Sequence, residues 1–167
     1  MPELYILESA MELPLARARV FGFFADVANL PRITPPWLHL RLRAAEPVTL
    51  AAGVEFDLTL RWRGVPLRWR TRIDAFDAPE RFIDRQLSGP YLSWRHVHTF
   101  AATPTGTRME DRVEYQLPWG PIGRLARALT VRRQLEEIFA YRERMVRHLL
   151  LGEPLEGQGP DARPAGP

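Results

Sequence analysis

Alternation of apolar and polar residues begins at the amino-terminal end of the chain. Residues 4–13 predict a first strand, because every second side chain is apolar or small. Pro14 then suits the first position of a helix, since apolar residues recur at helical spacing up to about Asp26. Residues 27–30 fit one further short turn of helix. The prolines at 31, 35 and 36 predict a rigid loop without regular structure around residues 33 and 34.

Period-two alternation returns in the middle of the chain and predicts six further strands. They cover approximately residues 38–43, 56–63, 67–73, 80–87, 91–102 and 107–117. The two strands around Gly64 are expected to form a hairpin with an arginine-rich face and an apolar face that carries Trp62 and Trp69. The prediction is thus a run of strands connected by short turns.

Helical spacing replaces the alternation after residues 118–121, where prolines and a glycine end the last strand. One long helix is predicted from there to Leu151, about eight turns at 3.6 residues each. Its inward stripe is expected to contain Ile122, Leu125, Leu129, Ile138 and Met145. Residues 152–167 are rich in Gly and Pro and predict an irregular tail, so a single domain should occupy residues 3–151.

This order of elements predicts an α+β fold with a seven-stranded curved antiparallel sheet wrapped around a long C-terminal helix. One or two short helices follow the first strand. A single helix cannot cover the whole inward face of seven strands, so a cavity of several hundred cubic ångströms is expected between helix and sheet.

The composition excludes several chemistries. The chain of 167 residues has no cysteine, which removes disulfides, thiol nucleophiles and thiolate-bound metals. It also has no lysine, so Schiff-base chemistry and a phosphate-loop lysine are excluded. None of the three serines, at 9, 88 and 93, stands in a nucleophile-elbow motif.

The net charge of +3 comes from arginines that alternate with apolar residues, a pattern typical of the solvated face of a strand. An arginine-rich surface that binds anionic membrane or nucleic acid remains a third alternative, although no nucleic-acid-binding motif supports it. No span of about 20 apolar residues and no signal peptide is present. We therefore expect a cytoplasmic protein with no nucleic-acid partner and no stable membrane insertion, for which transient membrane contact stays possible.

Two blocks of sequence resemble the SRPBCC superfamily, the helix-grip group with START domains and the birch-pollen allergen. The first runs from Val20 to Trp37 and includes Phe24-Ala25-Asp26 and Thr34-Pro35-Pro36. The second includes Phe82-Ile83-Asp84-Arg85-Gln86, Gly89-Pro90-Tyr91, Trp94, His96, His98-Thr99-Phe100, Asp111, Tyr115 and Leu117-Pro118. These blocks are similar to the bacterial polyketide cyclase/dehydrase and lipid transport branch, over roughly residues 3–150. The resemblance implies a helix-grip fold and leaves the activity open, because the group contains carriers, sensors and enzymes.

Strand parity decides which polar residues of the second block face inward. Asp111 shares parity with Val113, and His96 and His98 share parity with Trp94. Asp84 is assigned inward because an inward Arg85 would need a carboxylate partner. Tight turns would place Asp84 beside His96, Gln86 beside Trp94, and His98 beside Asp111. The predicted ligand-binding residues are Trp62, Trp69, Asp84, Gln86, Trp94, His96, His98, Asp111 and Tyr115.

Four interpretations of these polar residues stay open. The histidine–carboxylate pairs can simply satisfy one another in the core, orient the polar head of a ligand, or act as an acid–base pair. In the last case His96, His98, Asp111 and Asp84 are the catalytic candidates. A His-x-His metal site is the fourth interpretation, but the signal is too weak to assign a metal, and no cofactor is expected. The main hypothesis is a binder or carrier of a hydrophobic small molecule, such as a lipid, an isoprenoid quinone or an aromatic polyketide; a cyclase or dehydratase is the alternative.

Overall fold

The computed structural model describes residues 2–44, 47–118 and 121–155, and for residues 121–129 the backbone alone. The strands are β1 (Leu4–Leu13), β2 (Arg41–Arg43), β3 (Glu55–Trp62), β4 (Val65–Asp77), β5 (Arg81–Ser88), β6 (Ser93–Thr103) and β7 (Gly106–Gln116). The helices are α1 (Arg17–Ala25) and α2 (Pro121–Leu151), with two 3-10 helices at Val27–Ile33 and Pro36–Leu38. The predicted α+β order is confirmed. The predicted tail falls mostly on residues 156–167, which lie outside the described residues.

One seven-stranded sheet organises the domain, in the order β1-β7-β6-β5-β4-β3-β2. Every neighbouring pair is antiparallel, as expected for strands that follow one another through short turns. β1 closes the order by pairing with β7, which places the first and last strands side by side. The sheet with the long helix α2 is the predicted helix-grip arrangement.

Two apolar clusters form the core. The first joins α1 to the sheet and to the end of α2, and includes Phe21, Phe24, Phe100, Met109 and Val146. The second joins β6 and β7 to the middle of α2. It consists of Trp94, Val113, Tyr115, Leu117, Val131, Leu135 and Phe139. These clusters leave room between them and the β3–β4 side of the sheet.

The segment between β1 and β2 differs from the prediction. α1 begins at Arg17, three residues after Pro14. The expected irregular loop is instead a pair of 3-10 helices, the first of which contains Pro31. The first turn of this first 3-10 helix is capped by Asp26, whose carboxylate accepts a hydrogen bond from the Ala28 backbone N–H. β2 is correspondingly short, because Leu38 belongs to the second 3-10 helix.

The buried stripe of α2 also differs in phase from the predicted one. The buried residues are Val131, Leu135, Phe139, Arg142 and Val146, which are spaced by three or four residues as one helical face requires. Ile138 and Met145 are partly buried beside this stripe, and the side chains of Ile122, Leu125 and Leu129 lie outside the described residues. In the described parts of the chain, no helix is long and apolar enough to cross a membrane.

Candidate functional site

A cavity of about 270 Å³ lies between the sheet and α2. This is where the sequence predicted a cavity, and its volume is near the lower end of the usual range for ligand pockets, about 300–1,000 Å³. Its wall is mostly apolar. Representative lining residues are Leu58, Leu60, Trp62, Trp69, Leu135 and Phe139.

Four ionisable side chains from three adjacent strands form a cluster on the inward face of the sheet. β5 contributes Asp84, β6 contributes His96 and His98, and β7 contributes Asp111. His96 Nε2 lies 2.7 Å from Asp111 Oδ1, and His98 Nε2 lies 2.8 Å from Asp84 Oδ2. The two imidazole ring centres are 3.7 Å apart. Each histidine therefore has a carboxylate partner, and the two pairs are in contact.

The strand registers behind this cluster agree with the sequence prediction. Asp84 is paired with His96 across β5 and β6, and His98 is paired with Asp111 across β6 and β7. The hydrogen bonds run along the diagonals instead: His96 bonds to Asp111, and His98 bonds to Asp84. Diagonal neighbours in a twisted sheet are within reach of long side chains. The two diagonal hydrogen bonds therefore link β5, β6 and β7 through their side chains.

A fifth charged residue, Arg142 from α2, completes the cluster and was missed by the sequence analysis. Its Nη2 lies 4.0 Å from Asp111 Oδ1, and the residue is only 9% exposed. The guanidinium also lies 5.1 Å from the ring centre of Phe24 and 5.6 Å from that of Phe139. These cation–π contacts accompany the carboxylate in stabilising the buried positive charge.

Burial and charge act against each other at the two carboxylates. Burial alone would raise the pKa of Asp111, but Arg142 and the contacts with the two histidines hold that pKa well below its usual value. Burial likewise opposes ionisation of Asp84, and the hydrogen bond from His98 together with the nearby positive charges lowers its pKa. Both carboxylates are therefore ionised at neutral pH.

The two histidines are shifted in opposite directions. Burial and the neighbouring His98 lower the pKa of His96. Burial also disfavours the charged form of His98, but its contacts with Asp111 and Asp84 more than reverse this, so its pKa is raised. Below the raised pKa of His98, the positive charges of protonated His98 and of the Arg142 guanidinium balance the two carboxylates. His96 is neutral. The buried cluster is then electrically neutral, which limits the cost of its burial.

Three buried polar atoms of the cluster have no hydrogen-bond partner among the described residues: His98 Nδ1, Asp111 Oδ2 and Arg142 Nε. His98 Nδ1 is 3.0 Å from Asp111 Oδ1, but the contact lacks hydrogen-bond geometry. Buried polar groups are generally hydrogen-bonded, so three unpaired atoms in one cluster are unusual.

The cluster also has part of the geometry of a metal site. Ligand atoms of Asp84, His96 and His98 lie within 4.8 Å of one another. Metal binding requires unprotonated ligand nitrogens, whereas the pKa of His98 is raised. Arg142 would add a positive charge beside the bound cation. The raised pKa of His98 and the charge of Arg142 both oppose binding of a cation at this cluster.

Six of the nine predicted ligand-binding residues line the cavity. These are Trp62, Trp69, Asp84, Trp94, His96 and His98. Trp62 is anchored by a hydrogen bond from its indole N–H to Gln134 of α2. Trp69 and Trp94 pack edge to face at 5.2 Å between ring centres. Their place on the cavity wall follows from the strand parity used in the prediction.

The other three predicted residues do not line the cavity. Asp111 is 2% exposed and lies behind the histidines, where it supports them. Tyr115 is enclosed in the second apolar cluster by Tyr5, Tyr91 and Trp94.

Gln86 holds the β5–β6 turn: its side-chain N–H donates to the carbonyl of Tyr91 at 2.8 Å. The pairing of β5 with β6 ends at Arg85 and Arg95, one residue before the expected pair of Gln86 with Trp94. Parity gives the face of a strand, but it cannot separate a cavity wall from the packed core.

Residues between β1 and β2 form part of the cavity wall. Asn29 lines it and is buried, and its side chain donates a hydrogen bond to the Phe23 carbonyl. Arg32 is exposed and donates to Asn29 Oδ1 at 2.7 Å. His39 is exposed, whereas His148 is partly buried and its Nδ1 lies 2.8 Å from the Glu153 carbonyl oxygen.

Comparison with known families gives one match that covers most of the chain. The family described as polyketide cyclase / dehydrase and lipid transport matches residues 13–138. No curated protein matches the sequence.

Solved structures with the same fold have low sequence identity. Protein CV1439 from Chromobacterium violaceum has a TM-score of 0.66 at 12% identity, covering 89% of this chain and 99% of that one. A START superfamily protein from Mycobacterium smegmatis has a TM-score of 0.64 at 10% identity, covering 88% and 97%. The di-domain ARO/CYC StfQ from the steffimycin biosynthetic pathway has a TM-score of 0.63 at 13% identity, covering 85% of this chain and 49% of that one. At these identities the similarity establishes the fold alone.

Proposed function

The chain belongs to the polyketide cyclase/dehydrase and lipid transport family of the SRPBCC superfamily, and from this membership we propose that it binds or carries a hydrophobic small molecule in its cavity. One observation carries the proposal: a mostly apolar cavity wall is interrupted by the buried charged cluster of Asp84, His96, His98 and Arg142. Such a wall suits a ligand with an apolar body and a polar group. Lipids, isoprenoid quinones and aromatic polyketide-like compounds have this character.

The unpaired donors of the cluster define the polar part of the ligand. Arg142 Nε and His98 Nδ1 form no hydrogen bond among the described residues, and both side chains line the cavity. A carbonyl, carboxylate or hydroxyl oxygen of the ligand would accept from them. The stacked ring of Phe82, 4.1 Å from the His98 ring centre, restricts the orientation of the imidazole. The cluster would thus fix which end of the ligand enters the cavity.

Organic extraction of natively purified protein followed by mass spectrometry tests this function. The wild type should release a defined hydrophobic compound in a fixed ratio to protein. Leu60→Trp, which adds volume to the cavity wall, should release much less. Leu92→Trp is the matched control, because Leu92 is 54% exposed and lies outside the cavity lining. Equal amounts from the two variants, both folded by circular dichroism, would place the compound elsewhere.

A second candidate function, a cyclase or dehydratase, is favoured by the opposite pKa shifts of the two histidines. Neighbouring titratable groups with diverging pKa values are suited to act as acid and base. In a dehydration, protonated His98 would give its proton to a departing hydroxyl, while neutral His96 would take a proton from the adjacent carbon. The products are one water and one carbon–carbon double bond, so the step balances without a cofactor.

Binding and turnover of the extracted compound separate the two functions. For a carrier, the compound keeps its mass when returned to the protein, and His98→Ala weakens binding by about 1–3 kcal/mol through the loss of a buried hydrogen-bonding group. For an enzyme, the compound or its precursor changes mass, and His98→Ala prevents that change while binding remains.

A further inference from the structure

Four exposed arginines form a surface at the free end of the β3–β4 hairpin, on the outward face of the sheet. We call Arg41, Arg61, Arg63 and Arg68 the arginine patch. Arg41 and Arg68 are both paired with Thr59, one from each side, and Arg61 is paired with Pro66. Arg63 occupies the turn next to Gly64. Cross-strand neighbours are about 5 Å apart, so these charges lie on adjacent rows of one surface.

Like Arg43 of β2, the four arginines of the patch have no counter-charge among the described residues, unlike most arginines of the outward face. Among the described residues, no carboxylate lies within 4.0 Å of any of its four guanidinium groups. Seven arginines elsewhere on the same face each have such a carboxylate. They are Arg70, Arg72, Arg81, Arg85, Arg95, Arg108 and Arg112. The patch thus carries four positive charges that no carboxylate of the described residues offsets within 4.0 Å.

Exposed apolar side chains accompany these charges. Val65 pairs with Trp62 beside the hairpin turn, and so lies on the inward face; it is 55% exposed, and Trp37 is 51% exposed. Trp37 and Arg63 line one surface cleft beside α2, so the tryptophan is continuous with the patch. The inner face of the same hairpin carries Leu60 and Trp62 of the cavity wall. Charge, exposed tryptophan and the cavity wall therefore meet at one end of the domain.

We propose that the arginine patch docks this domain on the surface of an anionic lipid bilayer. Each arginine near such a surface increases affinity by a factor of about five. Tryptophan favours the headgroup region, because its ring is apolar and its N–H is polar. A nucleic acid would use the arginines but would leave Val65 without an apolar environment. The proposal concerns the exposed end of the β3–β4 hairpin and stands whether or not the cavity carries a ligand.

Co-sedimentation with vesicles tests the docking. The protein should bind vesicles of phosphatidylcholine with phosphatidylglycerol, bind phosphatidylcholine vesicles much less, and be released by high salt. Arg63→Ser should reduce binding by about fivefold, and the triple variant R61S/R63S/R68S by about a hundredfold. Arg19→Ser is the matched control: Arg19 is exposed and lacks a carboxylate partner among the described residues, but it lies on α1. Its binding should stay within about twofold of wild type, since the long-range effect of one distant charge is screened.

Three results would contradict the proposed docking. Equal loss in R63S and R19S would show that net charge alone, and no patch, determines binding. Equal binding to both vesicle compositions would exclude recognition of anionic lipid. Tighter binding to duplex DNA than to anionic vesicles at the same salt, unaffected by Trp37→Ser, would assign the patch to nucleic acid and overturn the proposal. Because the substituted arginines are exposed, circular dichroism melts of the arginine variants should match wild type.

Discussion

Arg142 Nη2 of α2 lies 4.0 Å from Asp111 Oδ1 of β7, and this contact joins the C-terminal helix electrostatically to the sheet. Both residues are buried, and Asp111 also accepts the hydrogen bond from His96. The contact thus links the helix to the histidine pair on the cavity wall. The charge state of the site on the sheet therefore depends on Arg142 of α2.

Replacement of Arg142 should be strongly destabilising. Arg142→Gln removes the positive charge that faces Asp111, and an uncompensated buried carboxylate costs about 3–5 kcal/mol. The longer contact favours the lower end of this range. Urea denaturation of wild type and variant measures the change in the free energy of unfolding.

A double variant controls for lost packing around the Arg142 side chain. In D111N/R142Q neither charge remains, so the double variant should be less destabilised than the sum of the single effects, by about 1–3 kcal/mol. Additive effects would mean that the two side chains do not interact, and the cluster would then contain four groups instead of five.

The two cluster histidines should titrate on opposite sides of the ordinary value of 6.5. His98 stabilises the fold below its unfolded pKa, and this contribution is lost as the pH rises through its raised folded pKa. His96 acts in the opposite direction, because it is held neutral and opposes folding as the pH falls below 6.5. NMR of the imidazole C–H signals, assigned with His96→Gln and His98→Gln, measures both pKa values. Two titrations near 6.5 would contradict the opposing environments described above.

Asp111 should make the protein sensitive to acid. Its folded pKa is held well below 3.8, so its ionised form stabilises the fold above that value, and the contribution is lost as the pH falls further through the folded pKa. Asp111→Asn should lower the melting temperature at neutral pH and flatten its decline in acid. Exposed Asp57→Asn is the control and should preserve the wild-type decline. Parallel curves for wild type and D111N would show that Asp111 is protonated in the native state.

The β5–β6 turn gives a prediction about stability. A Cβ at Gly89 would collide with the side chain of Gln86, which bonds to the Tyr91 carbonyl. Gly89→Ala should therefore displace Gln86 and cost about 1–2 kcal/mol through the lost hydrogen bonds. In a Gln86→Ala background the same substitution should cost nearly nothing. If Gly89→Ala is equally costly in both backgrounds, the turn itself requires glycine and Gln86 is not the cause.

Parity and turn position were sufficient to predict much of the site. They placed His96, His98 and Asp111 inward and gave two of the three predicted cross-strand pairs, because a strand has only two faces and a short turn fixes which residues face each other. They could not give the diagonal hydrogen bonds, which depend on sheet twist and on side-chain length. They also could not show that the Gln86 side chain donates a hydrogen bond within the β5–β6 turn.

Arg142 was missed for a different reason. A charged residue in a helix is normally on the surface, so the predicted stripe was placed on Ile138 and Met145. The regular spacing of Val131, Leu135, Phe139 and Val146 contains the missing signal, since Arg142 falls on the same face. Its burial is acceptable only because Asp111 lies opposite on the sheet, a long-range contact that helical periodicity alone does not show.

Binding of a fluorescent probe with an apolar ring system and one anionic group is the most direct test of the central claim that the cavity accepts a hydrophobic ligand. Trp62, Trp69 and Trp94 line the cavity, so energy transfer from tryptophan to anilinonaphthalene sulfonate reports occupancy. After the protein is stripped of bound compounds, the account predicts saturable binding of one probe per chain, displacement by the extracted compound, and loss of binding in Leu60→Trp but not in Leu92→Trp. Non-saturating binding that is the same in both variants would contradict the account.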